Sequence, residues 1–291
     1  MKKIVFLGCE NSHSAIFLDI IKNNPEKYGD VESVGAYSHE VEAAEKLNQN
    51  HGVPVLNDFG EKAGEVDGVV VTARDGARHL KYALPYLKPG VSVFMDKPIT
   101  ITEEDSLEFI RLCKENGVKL TGGSSCIHAE WVREAKRLVN ENVDGRTLGG
   151  YVRCPVNMNN PHGGFFFYSQ HLVEIILFAF GYDLRSVIAH KNGNDITVTF
   201  RYDNFDITGL FVNDNYKFYY VMRMAENSAQ QDSFVIGNDC FVKEFDAFYD
   251  ILSGAEQIID YKEFIMPVFV MNAIKRSMDS GKEEAIHTID I

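Results

Sequence analysis

The stretch Val91-Ser92-Val93-Phe94-Met95-Asp96-Lys97-Pro98 constrains this chain most, because a short apolar run stops there at an acid, a lysine and a proline. β-branched and aromatic residues without polar alternation are the pattern of an interior parallel strand, buried on both faces. Pro98 has no N–H for a sheet ladder and pushes Lys97 out of the helical region, so the strand has to end there. Lys97 is thereby predicted at the carboxyl end of a strand, the edge where open α/β sheets bind ligands.

The surrounding sequence repeats the pattern. Residues 3–8 read as a first strand, followed by Cys9-Glu10-Asn11-Ser12-His13 and a helix with Ile16, Phe17, Ile20 and Ile21 on one face. Residues 34–37 read as a second strand and 41–50 as a helix stopped by Gly52. Residues 66–72 form a third strand. The turn Ala73-Arg74-Asp75-Gly76 then leads to a helix carrying His79, Leu80, Ala83, Leu84 and Leu87. A helix over 103–116, with Thr102 as its cap and Gly117 as its stop, and a strand over 118–121 complete the set. Strands alternating with helices predict an α/β, Rossmann-type, doubly wound parallel sheet over residues 1–122.

A dinucleotide fingerprint on the first turn would begin at Gly8, but its second and third glycines fall on Glu10 and His13. A side chain at Glu10 hinders close approach of the backbone to a pyrophosphate, and its charge repels one. Asn11 or Ser12 can cap the helix and leave N–H groups for a phosphate. No acid closes the second strand at Tyr37 or Ser38, where ribose hydroxyls are usually bound. Ser38 and His39 are candidates to receive a 2′-phosphate, which leans the choice between NAD and NADP toward NADP. The alternative is a plain turn with Ser38 as a cap.

After Gly122-Gly123 the pattern changes, and residues 123–291 are predicted as an α+β domain with an open, mostly antiparallel sheet. A helix over about 128–142 leads to a strand near 150–156 and a turn-rich loop from Asn157 to Gly164. A helix containing His171, Leu172, Ile175 and Ile176 then runs to Gly181. Strands are expected at 186–190, 195–202, 206–212, 218–224 and around 233–236, with closing helices over 244–252 and 263–280.

Composition excludes several classes. A net charge of -13 without a basic cluster argues against nucleic acid. No apolar run reaches membrane length, and Met1-Lys2-Lys3 leads straight into a strand rather than a signal peptide. Five cysteines, odd in number and without a C-x-x-C, fit reduced thiols in a cytoplasmic protein. His13, His128, His162 and His171 lack short ligand spacing, so no metal is expected.

These motifs, in this order, resemble the glucose–fructose oxidoreductase, inositol dehydrogenase and MocA (Gfo/Idh/MocA) family along nearly the whole chain. Asp96-Lys97-Pro98 resembles its Glu-Lys-Pro, and residues 66–71 followed by His79 resemble the strand before its nicotinamide-side loop. Gly163-Gly164 with His171 resembles its glycine-started helix carrying a catalytic histidine. Residues 246–254, 273–277 and Gly281 match its closing helices.

The resemblance implies an NAD(P)-dependent dehydrogenase of a small sugar, cyclitol or polyol, and a homo-oligomer, dimer or tetramer. Lys97 would bind substrate oxygen and cofactor, and His171 would exchange the hydroxyl proton. The helix dipole near His171 would favour its neutral form. The cofactor side would comprise Gly8, Glu10, Asn11, Ser12, His13, Ser38, His39, Thr72, Ala73, His79, Asp96 and Lys97. Asn159, His162 and Tyr168 would join Lys97 and His171 at the substrate. The family's acid four residues before the histidine is here Phe167, and its glycine two before is Ser169; Tyr168 is the nearest replacement acid. Glu10, His13 and Phe167 also raise an alternative: a non-catalytic dinucleotide- or metabolite-binding regulator on the same fold.

Overall fold

The computed structural model describes residues 1–234 and 236–291, with only the backbone for 232–234. The chain forms two compact units: residues 1–123 with 241–264 and 291, and residues 124–240 with 265–290. Among the described residues no helix is long and apolar enough to cross a membrane.

In the first unit, strands β1 (Lys2–Leu7), β2 (Val31–Tyr37), β3 (Gly68–Val71), β4 (Ser92–Asp96) and β5 (Lys119–Gly123) pair in the order β2-β1-β3-β4-β5. All four pairings are parallel. Every residue of β3 and β4 is buried, which is why residues 69–71 and 93–95 are continuously apolar. Helices α1 (Ser12–Asn23), α2 (Pro25–Tyr28) and α3 (Val41–His51) follow the first two strands. The chain leaves β1 for β2 on one side and returns to β3 on the other, so the sheet reverses direction between β1 and β3. A ligand crevice is expected at that reversal.

Between β3 and β4 the anticipated single helix is broken into a 3₁₀ turn (Gly76–Arg78), the five-residue α4 (His79–Ala83) and a second 3₁₀ turn (Leu84–Tyr86). Pro85 lacks an N–H and its ring crowds the preceding turn, which ends the helix. Helix α5 (Glu103–Asn116) begins and ends where expected: Thr102 accepts a hydrogen bond from the Asp105 N–H, and Gly117 takes the left-handed conformation.

In the second unit, α6 (Glu130–Glu141) and α7 (Phe166–Phe180) accompany a seven-stranded sheet. Its strands are β6 (Thr147–Val156), β7 (Ser186–Asn192), β8 (Asp195–Arg201), β9 (Asp206–Asn213), β10 (Phe218–Met224), β11 (Ser228–Phe234) and β12 (Glu284–Ala285). They lie in the order β11-β10-β6-β9-β8-β7-β12, and only the β6–β9 pair is parallel. The expected strand around 233–236 corresponds to the end of β11; Val235 lies outside the described residues.

Two helices close the chain, α8 (Asn238–Leu252) and α9 (Tyr261–Ser280). The segment 241–264, read from the sequence as part of the second domain, packs with the first unit. Phe245, Phe248 and Ile251 of α8 enter the same apolar cluster as Phe6 of β1, Phe17 of α1 and Phe94 of β4. Burying such side chains contributes about 1.5–3 kcal/mol each, which commits α8 to this unit.

Candidate active site

The β1–α1 turn is drawn against the β3 turn. Gly8 sits at a φ of 79°, and a Cβ there would overlap the backbone of Ala73. Glu10 carries the side chain that should obstruct a pyrophosphate, yet the chain turns it beneath the turn. Its side chain has no solvent exposure. One oxygen accepts from the Ser38 hydroxyl at 2.6 Å and the other from the Arg74 N–H at 3.1 Å. His39 Nδ1 stands 3.8 Å from the same carboxylate. Glu10 therefore links the ends of β1, β2 and β3 and leaves the surface of the turn to the backbone.

Asn11 occupies the N-cap of α1 but makes no capping bond, contrary to the sequence expectation. Its amide donates instead to Asp96 Oδ2 at 2.9 Å, so no side chain caps the first turn of the helix. That arrangement suits an anionic phosphate, because the first N–H groups of a helix have no partner within it. His13 Nδ1 lies 2.7 Å from Asp96 Oδ2, and the Lys97 N–H donates to Oδ1 at 2.7 Å. Asp96 is fully buried. Burial opposes its ionisation, but the attraction of His13 and of the Lys97 charge holds the carboxyl below the usual carboxylate range. Asp96 thus fastens the glycine-poor turn to the strand end that presents Lys97. Lys97 itself is 6% exposed.

The remaining residues expected at the cofactor support the turns from within. Thr72 is buried, with its hydroxyl 2.7 Å from that of Ser14 and donating to the Gly8 carbonyl at 3.3 Å. His79 is buried against the Ala73 carbonyl, at 2.8 Å from Nε2. A carbonyl only accepts, so Nε2 carries the proton. Ser12 donates to the Asn11 side chain at 3.4 Å. Ser38 spends its proton on Glu10 and accepts from the Glu40 N–H at 3.0 Å.

In the second unit the centre is His171. It is the sixth residue of α7, in the second turn, beyond the reach of a dipole effect that fades within the first. What orients the ring is Ser124, just after β5, whose hydroxyl lies 2.6 Å from Nδ1. Cys126 Sγ lies 3.3 Å from the same nitrogen. Glu174, one turn along α7, accepts from the Ser124 N–H at 2.8 Å and from the Gln170 amide. Ser124, Cys126 and Glu174 were not identified from the sequence. Two signals pointed to them: Ser124 follows a strand end, and Glu174 is three residues from His171 on one helix face.

Tyr168 has its ring centroid 5.5 Å from that of His171. Burial pushes its phenol above the ordinary value, which makes it a weaker acid rather than a substitute carboxyl. Phe167 packs near His162, with ring centroids 6.1 Å apart. In the preceding loop the Asn159 and His162 N–H groups donate to the side chains of Asn157 and Asn160, which shape the turn. The Asn159 side chain is exposed and that of His162 half-buried. Among the described residues, no group of three or more His, Cys, Asp or Glu side chains is gathered to hold a metal ion.

Residues 2–124 match the model of the oxidoreductase family with the NAD-binding Rossmann fold. That family is the Gfo/Idh/MocA group, and the match covers less than half of the chain. A 2,7-anhydro-N-acetylneuraminate hydratase of Mediterraneibacter gnavus is 34% identical over 84 residues, 29% of this chain and 22% of that protein. An uncharacterized oxidoreductase of Streptococcus pneumoniae serotype 4 is 31% identical over 107 residues, 36% of this chain and 29% of that protein. The chain thus spans less than a third of either relative. The solved myo-inositol dehydrogenase of Lactobacillus casei, in complex with NAD(H) and myo-inositol, superposes with a TM-score of 0.85. That match covers 100% of this chain and 98% of the other at 14% identity, which establishes a shared fold across both units.

Proposed function

We propose that this protein is an NAD(P)-dependent oxidoreductase that moves hydride to or from a CH–OH carbon of a small polyol, sugar or cyclitol. The first unit would hold the dinucleotide; the second would bind substrate and form a homo-oligomer. The observation that carries this reading is the strand-end cluster, where buried Asp96 ties an uncapped helix N-terminus to Lys97. It would offer helix N–H groups to a phosphate at the reversal of the parallel sheet and a cation at the end of β4.

A bound nicotinamide supplies the hydride acceptor or donor. Lys97 supplies positive charge for the alkoxide-like oxygen that forms as hydride leaves its carbon. His171, its Nδ1 oriented by Ser124, takes the hydroxyl proton at Nε2 and returns it in the reverse direction. The myo-inositol bound by the L. casei enzyme and the anhydro-sugar acid acted on by the M. gnavus hydratase motivate the substrate class. Oligomer formation is assigned to the sheet face opposite the buried Val152, Phe211 and Met222, where half-buried Tyr151, Leu210, Val212, Tyr219 and Val221 gather.

Calorimetric titration of nucleotide-free protein with NADH and NADPH, followed by a sugar and cyclitol screen for nicotinamide redox change, tests the reading. Binding of neither dinucleotide defeats it and favours a metabolite-binding regulator. Lys97→Ala is expected to lower kcat by about 10²-fold or more, the range of a lost transition-state charge partner; unchanged turnover overturns its role. The hydratase relative motivates a second reading, in which substrate is converted while the cofactor shows no net redox change. Measuring product and cofactor in one reaction separates the two.

A further inference from the structure

We infer that Glu10, although it stands in the glycine loop, makes this protein select NAD(H) over NADP(H); the inference rests on the dinucleotide reading above. In this fold the adenosine ribose lies at the end of the second strand, where an acid that bonds its hydroxyls usually decides the cofactor. Tyr37 and Ser38 supply no acid there. The structure brings one from elsewhere: Glu10 reaches across from the β1 turn and places its carboxylate against Ser38 at 2.6 Å.

Three consequences follow for a 2′-phosphate at that strand end. The Ser38 hydroxyl already donates to Glu10, so a phosphate oxygen meets a lone pair rather than a donor. His39 lies between two carboxylates, 3.8 Å from Glu10 and 4.0 Å from Glu40. The Arg74 guanidinium stands 3.9 Å from Glu40, and the Arg74 N–H is given to Glu10. The Ser38 hydroxyl, His39 and Arg74 are thus each matched by an anion, and a further dianion meets repulsion from Glu10 and Glu40. A 2′-hydroxyl carries no charge and meets no such penalty. Ser38 and His39, read from the sequence as phosphate receivers, are recruited by the glutamate instead.

Glu10→Gln is the test, since an amide retains the size while removing the charge; its oxygen can still accept from the Arg74 N–H, and its NH2 then donates to the Ser38 oxygen, which frees the Ser38 proton. Dissociation constants for NADH and NADPH are measured by calorimetry on wild type and variant at one ionic strength. Wild type is expected to bind NADH at least about tenfold tighter than NADPH, and the variant to narrow that ratio by about fivefold or more, through a gain in NADPH. A wild type that binds NADPH as tightly as NADH, or an unchanged ratio in the variant, overturns the inference while leaving the oxidoreductase reading intact. Binding of neither dinucleotide to wild type overturns both. Should the variant fail to fold, wild type alone decides by comparing ADP with adenosine 2′,5′-bisphosphate. Tighter binding of ADP supports the inference, and equal or weaker binding defeats it.

Discussion

Ser124 and His79 show how single side chains bear on the two clusters. The Ser124 hydroxyl lies closer to His171 Nδ1 than Cys126 Sγ does and, on the proposed mechanism, leaves Nε2 to the substrate. With Ser124→Ala, kcat is expected to fall about tenfold with KM unchanged and the pH profile displaced, as for a general base that loses its orientation. Ser124→Thr should restore both. A pH profile identical to wild type in the alanine variant would show that Ser124 does not act through His171.

His79 makes a stability prediction. Burial holds its pKa below the ordinary value, against the pull of the Ala73 carbonyl and the Asp96 charge. The unfolded chain takes up a proton near pH 6.5 that the folded imidazole still refuses, so stability falls as pH drops from about 6.5 toward the folded value. Above that window the effect is absent. Asp96, with its folded pKa lowered, contributes in a separate window: its stabilisation is complete above about pH 3.9 and lost as pH falls through the folded value. His79→Gln retains an N–H donor for Ala73 but does not titrate. Its unfolding free energy, measured by urea denaturation between pH 5 and 7, is expected to be flatter with pH than that of wild type; equal slopes would exclude His79 as the source.

At the scale of elements, the strands of the first unit were legible because burial on both faces leaves a continuous apolar signature, and α1, α3 and α5 because each has one apolar face; α2 and the broken helix after β3 were not. Thr102 and Gly117 act within one helical turn of their own positions. Other features depended on a distant partner. β6 and β9 pair in parallel inside an otherwise antiparallel sheet, a choice that alternation within either strand cannot encode. The pairing of β4 with β5 places Gly122 opposite Met95, at a φ of 128°, where a Cβ would overlap the Met95 carbonyl. Gly122→Ala is expected to cost about 3 kcal/mol or more, from backbone strain and the displacement of β4. The strand disturbed is the one that presents Lys97. A thermal midpoint equal to that of wild type would mean that the pairing tolerates a side chain.

For the molecule as a whole, ligand binding and folding are linked. NADH at about one hundred times its dissociation constant should stabilise the native state by about 2.7 kcal/mol, if it binds only the folded chain. The expected outcome is a rise in Tm that grows with ligand concentration, and no rise at saturation would contradict binding to the native state.

The sequence by itself determined the classes of the two sheets, the strand end that bears Lys97 and the helix that bears His171. Those follow from periodicity and from residues such as Pro98, whose effects reach only a few positions. Tertiary structure alone decided where the unusual side chains point. Glu10 reads in sequence as a charge set against a phosphate, but it turns under to Ser38 and Arg74, which lie 28 and 64 residues away in the chain. His171 is legible from its helix, but its partner Ser124 comes from 47 residues away. Helix α8 carries an apolar face that suits either unit, and it joins the first because Phe17 and Phe94 are there to bury it. A polar or aromatic group takes the partner that satisfies it at least cost in burial, and that partner is chosen by packing between distant segments.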